Sequence, residues 1–509
     1  MMGSMLTGCS AGSKAEAASV LNFGATNFSD SLDPSAMPNA AWCVSRYGIG
    51  EALFRFDDQM EADYYLCDDY SVNDEHTEWT FHIREGVKFS NGKELTASAV
   101  VDSIEYMYEQ EKSGKGSTAP SQYMVYDSIK ADDEARTVTI KTSKAYADLT
   151  KALAHPFFSI LDMESDLASK PIGTGPYAID KYDTGVSIAM NANEHYWKED
   201  VPYEKLNVIF IEDSTTKAMA LQNEDVDVVE NINTANDLKT LKDSDDFNVS
   251  ETVGVRIGFA YINQKGILKN DDLRQAILTA IDDDTLCKVT VGGLYDAGAS
   301  VLPSTLDYGS DKLKDATPYD EEKANKILDD ANIVDTDGDG YRELDGKNIE
   351  LNFLTYDSRN LPDFAEGVAS QLEKIGVKTI VYTDISTDAD TEWNMLVSGE
   401  YDLLNTNWMT VQDGDPYGYL DNWYGKSNAN YCGYQNDEYD KIYEALSTEM
   451  DEEKRKDMIQ ELQQILIDDS AVMVHGYYKS NMSSDKSVAG ANISVADYYW
   501  ISTAIKPAE

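Results

Sequence analysis

Residues 79–108, WTFHIREGVKFSNGKELTASAVVDSIEYMY, combine the signals of a strand, a tight turn and a helix. Apolar residues alternate with polar ones at the start, which predicts a strand with one buried face. The alternating apolar positions are Trp79, Phe81 and Ile83. Asn91-Gly92 tolerates the positive φ of a turn, and Thr96 is suited to cap a helix over residues 97–109. This order of elements predicts an α/β protein and indicates no catalytic chemistry.

The segment 79–105, WTFHIREGVKFSNGKELTASAVVDSIE, closely resembles the signature of the family 5 solute-binding proteins of ABC importers, the dipeptide-, oligopeptide- and nickel-binding group. The resemblance implies an α/β, two-lobed periplasmic-binding-protein-like fold. The first lobe would carry a small extra domain, and the ligand cleft would lie between the lobes. The resemblance also implies hinge closure, in which ligand shifts the equilibrium toward a closed form that the permease recognises.

The length of 509 residues exceeds one ordinary hydrophobic core, and strand and helix patterns alternate along the chain. A helix over residues 41–54 is expected early, and Gly173 with Gly175 predicts a bend where backbone approaches backbone. Together with the resemblance, these patterns predict six segments. They are 1–19, a truncated lipoprotein signal and tether; 20–54, first lobe; 55–170, the small extra domain; 171–262, first lobe continued; 263–477, second lobe; and 478–509, the return to the first lobe.

The charge balance narrows the possible partners. The chain has 92 acidic and 42 basic residues, a formal net charge of -50. Phosphate binding needs a basic face, so we expect no nucleic-acid partner. We interpret the acidic excess as solvation of an exported surface, with a bias toward cationic cargo as the alternative. An anionic ligand would need a local basic pocket.

The chain start contains a possible lipid attachment site. Residues 6–9, LTGC, have the form of a bacterial lipobox in which Cys9 is lipidated. A secretory signal needs an apolar stretch of about 7 to 15 residues, so we expect that the translation start is truncated or miscalled. A small, polar tether follows over residues 10–19. We therefore expect an extracytoplasmic protein that is lipid-anchored to a bacterial cell membrane.

The spacing of the remaining cysteines and the lack of known catalytic motifs argue against metal or catalytic chemistry. The spacing of Cys43, Cys67, Cys287 and Cys432 fits no zinc motif. Four cysteines allow three disulfide pairings, and we expect mostly free, buried thiols. No serine-hydrolase elbow or zinc-protease motif is present, so we expect no enzyme, no catalytic residues and no cofactor.

The segment DTDGDGYRE, from residue 335, resembles the start of a calcium-binding loop. Asp335, Asp337 and Asp339 occupy positions 1, 3 and 5 of an EF-hand loop. Position 12, where a bidentate Glu belongs, is Gly346. We therefore favour a structural turn and retain these aspartates as a weak calcium candidate.

The resemblance also selects candidate ligand contacts in each lobe. Arg46 and Tyr47 lie where the first helix borders the cleft in relatives; the alternative is an exposed arginine and a packed tyrosine. Arg359 lies in YDSRNLP, a strand-to-helix connection of the kind that faces the crevice of α/β sheets. It resembles the arginine that relatives offer to a ligand carboxylate, and a nearby helix N-terminus would add to the attraction.

The second group of candidates lies in NWMTVQDGDPYGY, from residue 407. In peptide-binding relatives a Trp precedes an Asp that pairs with the peptide ammonium. Here Trp408 is present, Gln412 stands in the place of that Asp, and Asp413 is the nearest replacement. Tyr417 completes the group of expected ligand contacts.

The shifted motif leaves two ligand classes open. The first is a peptide-like solute delivered to an ABC permease for import. The alternative is nickel or another metal carried as a metallophore or chelate complex, because no histidine cluster predicts a site for bare metal. A membrane-tethered enzyme is the remote alternative. We expect a monomer that works with permease subunits.

Overall fold

A computed structural model describes residues 20–385 and 389–509. The predicted lipidation site Cys9 and the tether lie outside these residues. No helix in the described part of the chain is long and apolar enough to cross a membrane. The α-helices are α1 (Pro38–Arg46), α2 (Ala97–Ser113), α3 (Leu149–Ala152), α4 (Ser214–Gln222), α5 (Ala235–Asp243), α6 (Asp271–Thr279), α7 (Asp283–Thr285), α8 (Glu321–Asp330), α9 (Leu361–Glu373), α10 (Ala389–Ser398), α11 (Tyr417–Leu420), α12 (Asp437–Leu446) and α13 (Glu452–Asp468).

The strands form one large mixed sheet and several small sheets. In chain order they are β1 (Val20–Ala25), β2 (Phe54–Phe56), β3 (Ala62–Tyr64), β4 (Cys67–Val72), β5 (Glu78–Ile83), β6 (Tyr126–Asp132), β7 (Thr137–Thr142), β8 (Tyr177–Asp183), β9 (Ser187–Ala192), β10 (Lys205–Phe210), β11 (Val228–Glu230), β12 (Phe247–Ile262), β13 (Tyr295–Asp296), β14 (Glu343–Leu344), β15 (Lys347–Asn348), β16 (Glu350–Tyr356), β17 (Lys378–Ile385), β18 (Leu403–Met409), β19 (Val472–Asp485), β20 (Val488–Ala489) and β21 (Lys506–Pro507). The large sheet has the order β17-β16-β18-β12-β19-β11-β1-β10-β9-β8, with β13 beside β19.

Two long strands connect the lobes of this two-lobed α/β fold. Residues 247–253 of β12 pair with 479–485 of β19, and residues 257–261 pair with 472–477. The register shifts between Val253 and Ile257, where the sheet passes from one lobe to the other. β12 already pairs with β18 at Arg256, ahead of the predicted boundary after residue 262. The division into six segments stays a prediction.

The predicted strand and helix of residues 79–109 are present. β5 lies inside an antiparallel sheet of order β4-β5-β7-β6, and its alternating apolar residues are buried. The Thr96 hydroxyl accepts a hydrogen bond from the Ala99 amide (3.1 Å), which caps α2. The helix continues past residue 109 to Ser113, because Gly114, at φ 64°, is the first residue in the left-handed conformation that ends a helix.

The predicted helix over residues 41–54 is wrong in its extent, because α1 ends at Arg46. Gly48 has φ 68°, so the chain turns away there. The following backbone packs directly on the predicted bend. A Cβ on Gly173 would lie 2.1 Å from the Ile49 carbonyl oxygen, and one on Gly175 would lie 2.3 Å from the Gly48 oxygen. α1 therefore ends before residues 48–49, whose backbone packs closely on the backbone of Gly173 and Gly175.

The lobes touch each other across the cleft at residues 412–414. The hydroxyl of Tyr123, from the first lobe, donates to Gln412 Oε1 (2.9 Å). Gly414, at φ 77°, lies so near the small domain that an added Cβ would be 2.9 Å from the Met60 carbonyl oxygen. One hydrophobic core includes residues from both sides of this contact. The two sides are therefore in direct contact at residues 412–414.

The four cysteines of the described chain are buried and form no disulfide. This confirms the expectation of free thiols. Burial raises their pKa values to about 11 for Cys43 and Cys432 and to about 12 for Cys67 and Cys287. At neutral pH these thiols stay protonated and are poor nucleophiles.

Candidate functional site

Charged and aromatic side chains from both lobes meet where β12 passes between the lobes. Arg46 from α1, Arg256 from β12 and Arg359 from the connection before α9 are the cations of this group, and Asp497 from the C-terminal segment is its carboxylate. Tyr478 and Tyr498 lie among them. We call this set of six residues the interlobe cluster.

Arg359 lies where the sequence predicts it, between β16 and α9. Its φ of 45° and that of Asn360, 60°, form a tight turn before the helix. The Tyr295 hydroxyl donates to the Arg359 carbonyl (2.8 Å), which fixes the turn. The guanidinium lies 5.5 Å from the centre of the Tyr478 ring. Its Nη1 donates to Ser358 Oγ (3.4 Å), a weak bond that leaves the charge available to an anion.

Arg256 is a member of the cluster that the sequence analysis missed. It is half-buried on β12, its Nη1 donates to Asn407 Oδ1 (3.3 Å), and its Nε has no hydrogen-bond partner among the described residues. Burial, with neighbouring Arg359 adding to it, lowers the pKa of Arg256 to about 9. An arginine inside an apolar strand is the sequence signal that could have identified it.

Arg46, a predicted ligand contact, has its charge compensated within the chain. It is 2% exposed, and its Nη2 lies 2.8 Å from Asp497 Oδ2. Its guanidinium stacks 4.3 Å from the centre of the Trp500 ring. Tyr47 is packed in the core at 1% exposure. Tyr47, also a predicted ligand contact, is therefore packed as in the alternative interpretation, and its role as a ligand contact stays a prediction. The exposed arginine of that alternative is wrong, because Asp497 and the aromatic rings hold Arg46 in the interior.

The second predicted group lies on the contact between the lobes. Trp408, on β18, is half-buried beside Tyr419, with ring centres 6.1 Å apart. Gln412 accepts the Tyr123 bond through its side chain and a bond from the Tyr498 hydroxyl (3.0 Å) through its carbonyl. Tyr498 thus joins this group to the interlobe cluster.

Asp413 is half-buried and has no ion pair with any residue of the described chain. Burial, with Asp415 as the second cause, raises the pKa of Asp413 to about 7. Asp415, by contrast, forms an ion pair with Arg455 and accepts the Tyr417 amide (2.8 Å). Tyr417 stacks on Tyr443 with ring centres 4.5 Å apart. Of these residues, Asp413 has the charge best placed to receive a cation.

Two further hydrogen-bond donors beside Tyr498 lack acceptors in the described chain: Trp42 Nε1 and His155 Nε2. His155 is fully buried, and its Nδ1 accepts the Phe157 amide (3.2 Å), which places the proton on Nε2. Burial lowers the pKa of His155 to about 3, so the ring is neutral. These donors are suited to ligand acceptors such as peptide carbonyls.

The DTDGDGYRE segment forms a turn whose carboxylates accept hydrogen bonds from backbone amides of the same turn. Asp335 accepts amide hydrogen bonds from Gly338 (2.6 Å) and Gly340 (2.9 Å), and Asp339 accepts one from Tyr341 (2.8 Å). Ligand oxygens of Asp335, Asp337 and Glu343 lie within 4.8 Å of one another. Glu343 thus joins the cluster in place of the predicted Asp339.

Calcium is expected to bind this loop weakly, with a dissociation constant above about 1 µM, because the position-12 glutamate is missing and the shell is incomplete. Calorimetry with calcium, on the wild type and on Asp337→Ala, measures this. Sub-micromolar binding that disappears in Asp337→Ala would contradict the prediction.

Comparison with known proteins agrees with this architecture. Residues 63–431 match the family described as "Bacterial extracellular solute-binding proteins, family 5 Middle". The chain is 26% identical over 485 residues to the probable D,D-dipeptide-binding periplasmic protein DdpA of Escherichia coli (strain K12). This alignment covers 90% of this chain and 88% of that protein.

Two solved structures share the fold. NikA from Brucella suis in complex with Fe(III)-EDTA has a TM-score of 0.85 at 19% identity, over 96% of this chain and 100% of that chain. DppA from Helicobacter pylori in complex with peptide STSA has a TM-score of 0.75 at 21% identity, over 96% and 98%. Because the family match spans well over half of the sequence, the chain belongs to the bacterial extracellular solute-binding proteins of family 5.

Proposed function

We propose that this protein captures a peptide-like solute outside the cytoplasm, encloses it by hinge closure and delivers it to the permease of an ABC importer. The observation that carries the proposal is a pair of opposite charges that form no salt bridge within the described chain. Arg359 faces the interlobe cluster without such a bond to a carboxylate. Asp413 lies on the lobe contact, where Lys151 acts on it but forms its ion pair with Glu61. A peptide supplies a carboxylate for the first and an ammonium for the second.

The relatives support a peptide ligand. DdpA of E. coli is named as a probable D,D-dipeptide-binding protein, and the H. pylori DppA structure holds a peptide. Calorimetry with di- to tetrapeptides tests the proposal, together with small-angle scattering. A binding peptide should decrease the radius of gyration without changing the mass. Absence of binding by the whole peptide panel would contradict the peptide assignment.

A metal chelate is the second candidate ligand. Arg256 and Arg359 both lack an ion-pair partner in the described chain, which suits a chelator rich in carboxylates. The B. suis NikA structure contains Fe(III)-EDTA. Binding of nickel chelates, with no peptide bound, would favour this candidate.

Peptide affinity is expected to rise with pH up to about 7 through the ionisation of Asp413. Its raised pKa of about 7 means that the carboxyl is largely neutral below that pH, and a ligand ammonium binds the ionised form. Each pH unit below the pKa should reduce affinity by up to about tenfold. Calorimetry between about pH 5.5 and 7.5 measures the slope.

Two controls test the origin of this slope. Asp413→Asn should bind more weakly at pH 7.5 and show no such slope, and an N-acetylated peptide should show none with the wild type. The same pH dependence in Asp413→Asn would assign the titration to another group.

We infer that the protein catalyses no reaction. His155 and His475 are fully buried, and burial lowers the pKa of each to about 3. Groups that remain neutral throughout the physiological range are poor proton-transfer catalysts. A membrane-tethered enzyme would need a convergent acid-base pair instead, and turnover of any bound solute would reveal it.

We also propose that the chain is a monomer held at the outer face of a bacterial membrane by a lipid on Cys9. The LTGC motif and the polar tether of residues 10–19 support the lipid anchor. Replacing Cys9 by Ser should move the protein from the membrane fraction to the soluble fraction. Unchanged membrane association in Cys9→Ser would contradict the anchor.

A further inference from the structure

Arg256 and Arg359 are two cations in the cluster that form no salt bridge within the described residues. Each is half-buried, and neither forms an ion pair with a side chain in residues 20–385 or 389–509. Arg46 in the same cluster is paired with Asp497. Burying a charge without a partner is unfavourable, so the two free guanidiniums need an anion from outside the chain.

A chain of hydrogen bonds links the two arginines to each other. Arg256 Nη1 donates to Asn407 Oδ1 (3.3 Å), Asn407 Nδ2 donates to the Tyr295 hydroxyl (3.3 Å), and this hydroxyl donates to the Arg359 carbonyl (2.8 Å). The three bonds connect β12, β18, β13 and the turn before α9. The arginines are therefore held as one unit on rigid elements.

The charge count at this place is positive in a strongly acidic protein. The interlobe cluster contains three guanidiniums, those of Arg46, Arg256 and Arg359, and one carboxylate, that of Asp497, so its charged residues carry a net charge of +2. The whole chain carries -50. A single ligand carboxylate would satisfy Arg359 and leave Arg256 with its charge and its Nε unmatched.

We propose that Arg256 and Arg359 together bind a dianionic end of the ligand, in which two or three carbons separate two carboxylates. This inference rests on the proposed solute-binding function and narrows its ligand class. A peptide ending in glutamate or aspartate supplies this chemistry, and so does a polycarboxylate chelator. Arg359 binds one carboxylate and Arg256 binds the other, so Arg256 is a specificity-determining residue.

The location of Arg256 gives the second carboxylate a direct contact with the hinge. Arg256 lies between Val253 and Ile257, within the register shift of β12 against β19. Arg359 belongs to the second lobe. A dianion held by both arginines therefore contacts the strand that joins the lobes as well as one of the lobes.

The experiment compares ligands that differ by one charge and have nearly the same shape. Calorimetry with Ala-Ala-Glu and Ala-Ala-Gln, and with succinate and succinamate, is carried out on the wild type, Arg256→Gln, Arg256→Lys and Lys112→Gln. The last variant removes an exposed positive charge from α2 and serves as the charge-matched control.

Wild type and Lys112→Gln should bind Ala-Ala-Glu at least about tenfold more tightly than Ala-Ala-Gln. Arg256→Gln should bind the two tripeptides equally, and Arg256→Lys should keep part of the preference. The melting temperature of ligand-free Arg256→Gln should be at or above that of the wild type, because the variant removes a half-buried cation that has no salt bridge.

Two results would overturn the inference: equal wild-type affinity for Glu- and Gln-ended tripeptides, or a preference for glutamate that persists in Arg256→Gln. If no tripeptide binds, the proposed peptide function is contradicted, and the comparison of succinate with succinamate then tests the dianion site on its own. A preference of the wild type for succinate over succinamate, lost in Arg256→Gln, supports the dianion site for a chelator-type ligand. Equal binding of the two, or no binding of succinate, overturns it.

Discussion

Replacing Arg359 by alanine is expected to weaken ligand binding by roughly 2–5 kcal/mol, which is about 30-fold to several thousand-fold in Kd. The expected loss is large because the half-buried guanidinium forms no salt bridge in the described chain, so its hydrogen-bond donors are available to a ligand carboxylate. The Arg359→Ala variant would leave a ligand carboxylate in the cleft without its fork of donors. Calorimetry with a peptide identified as a ligand measures the change.

Two further variants separate charge from geometry. Arg359→Lys keeps the charge but loses the planar fork, so it should bind with intermediate affinity. Arg359→Ala should leave the melting temperature of the ligand-free protein at or near that of the wild type, because the variant keeps the Tyr295 bond to the residue 359 carbonyl and removes a half-buried cation that has no salt bridge. A loss of affinity below about 1 kcal/mol would show that the guanidinium is solvated and that the site is misplaced.

The Asp497→Ala substitution should destabilise the protein by about 3–5 kcal/mol. Asp497 neutralises Arg46 in a pair whose side chains are 2% and 6% exposed for Arg46 and Asp497, respectively. It also accepts a hydrogen bond from Trp500 Nε1 (2.9 Å). Removing the carboxylate leaves Arg46 buried without a counter-charge, although the Arg46 bond to the Asp497 carbonyl remains. Urea unfolding followed by tryptophan fluorescence measures the loss.

The matched control for Asp497 is Asp243→Ala. Asp243 pairs with Lys239 on the surface of α5, with both side chains more than half exposed. Loss of such a pair is expected to cost about 0.3–0.5 kcal/mol. Similar unfolding midpoints for the two variants would mean that the Arg46–Asp497 pair contributes no more than a surface contact.

Local sequence patterns predicted those strands and helices that depend on residues close to one another in the sequence. The alternation at Trp79, Phe81 and Ile83 arises from the two faces of a strand, and Thr96 caps the helix through a bond three residues away. The helix over residues 41–54 was predicted too long because its end depends on packing against residues 173–175, more than a hundred positions later. No local pattern encodes that contact.

The same distinction applies to the candidate site. Arg359 could be predicted because a strand, a short turn and a helix surround it in the sequence. Arg256 could not, because its environment comes from Asn407, 151 positions away, and from Arg359. Arg46 was predicted as a ligand contact from the position of its helix in relatives, and its ion pair with Asp497, 451 positions away, could not be predicted from the local sequence. For Arg256 and Arg46, the local sequence does not encode which distant residue meets the charge.

The burial of the native thiols has a practical consequence for fluorescence measurements of lobe motion. Because Cys43, Cys67, Cys287 and Cys432 are enclosed and protonated at neutral pH, maleimide dyes should leave them unmodified in the folded protein. With Cys9 replaced by serine, one new surface cysteine at Lys112 and another at Lys288 would accept a donor and an acceptor fluorophore. Single-molecule energy transfer between them could then follow opening and closing in a protein that keeps its four native cysteines.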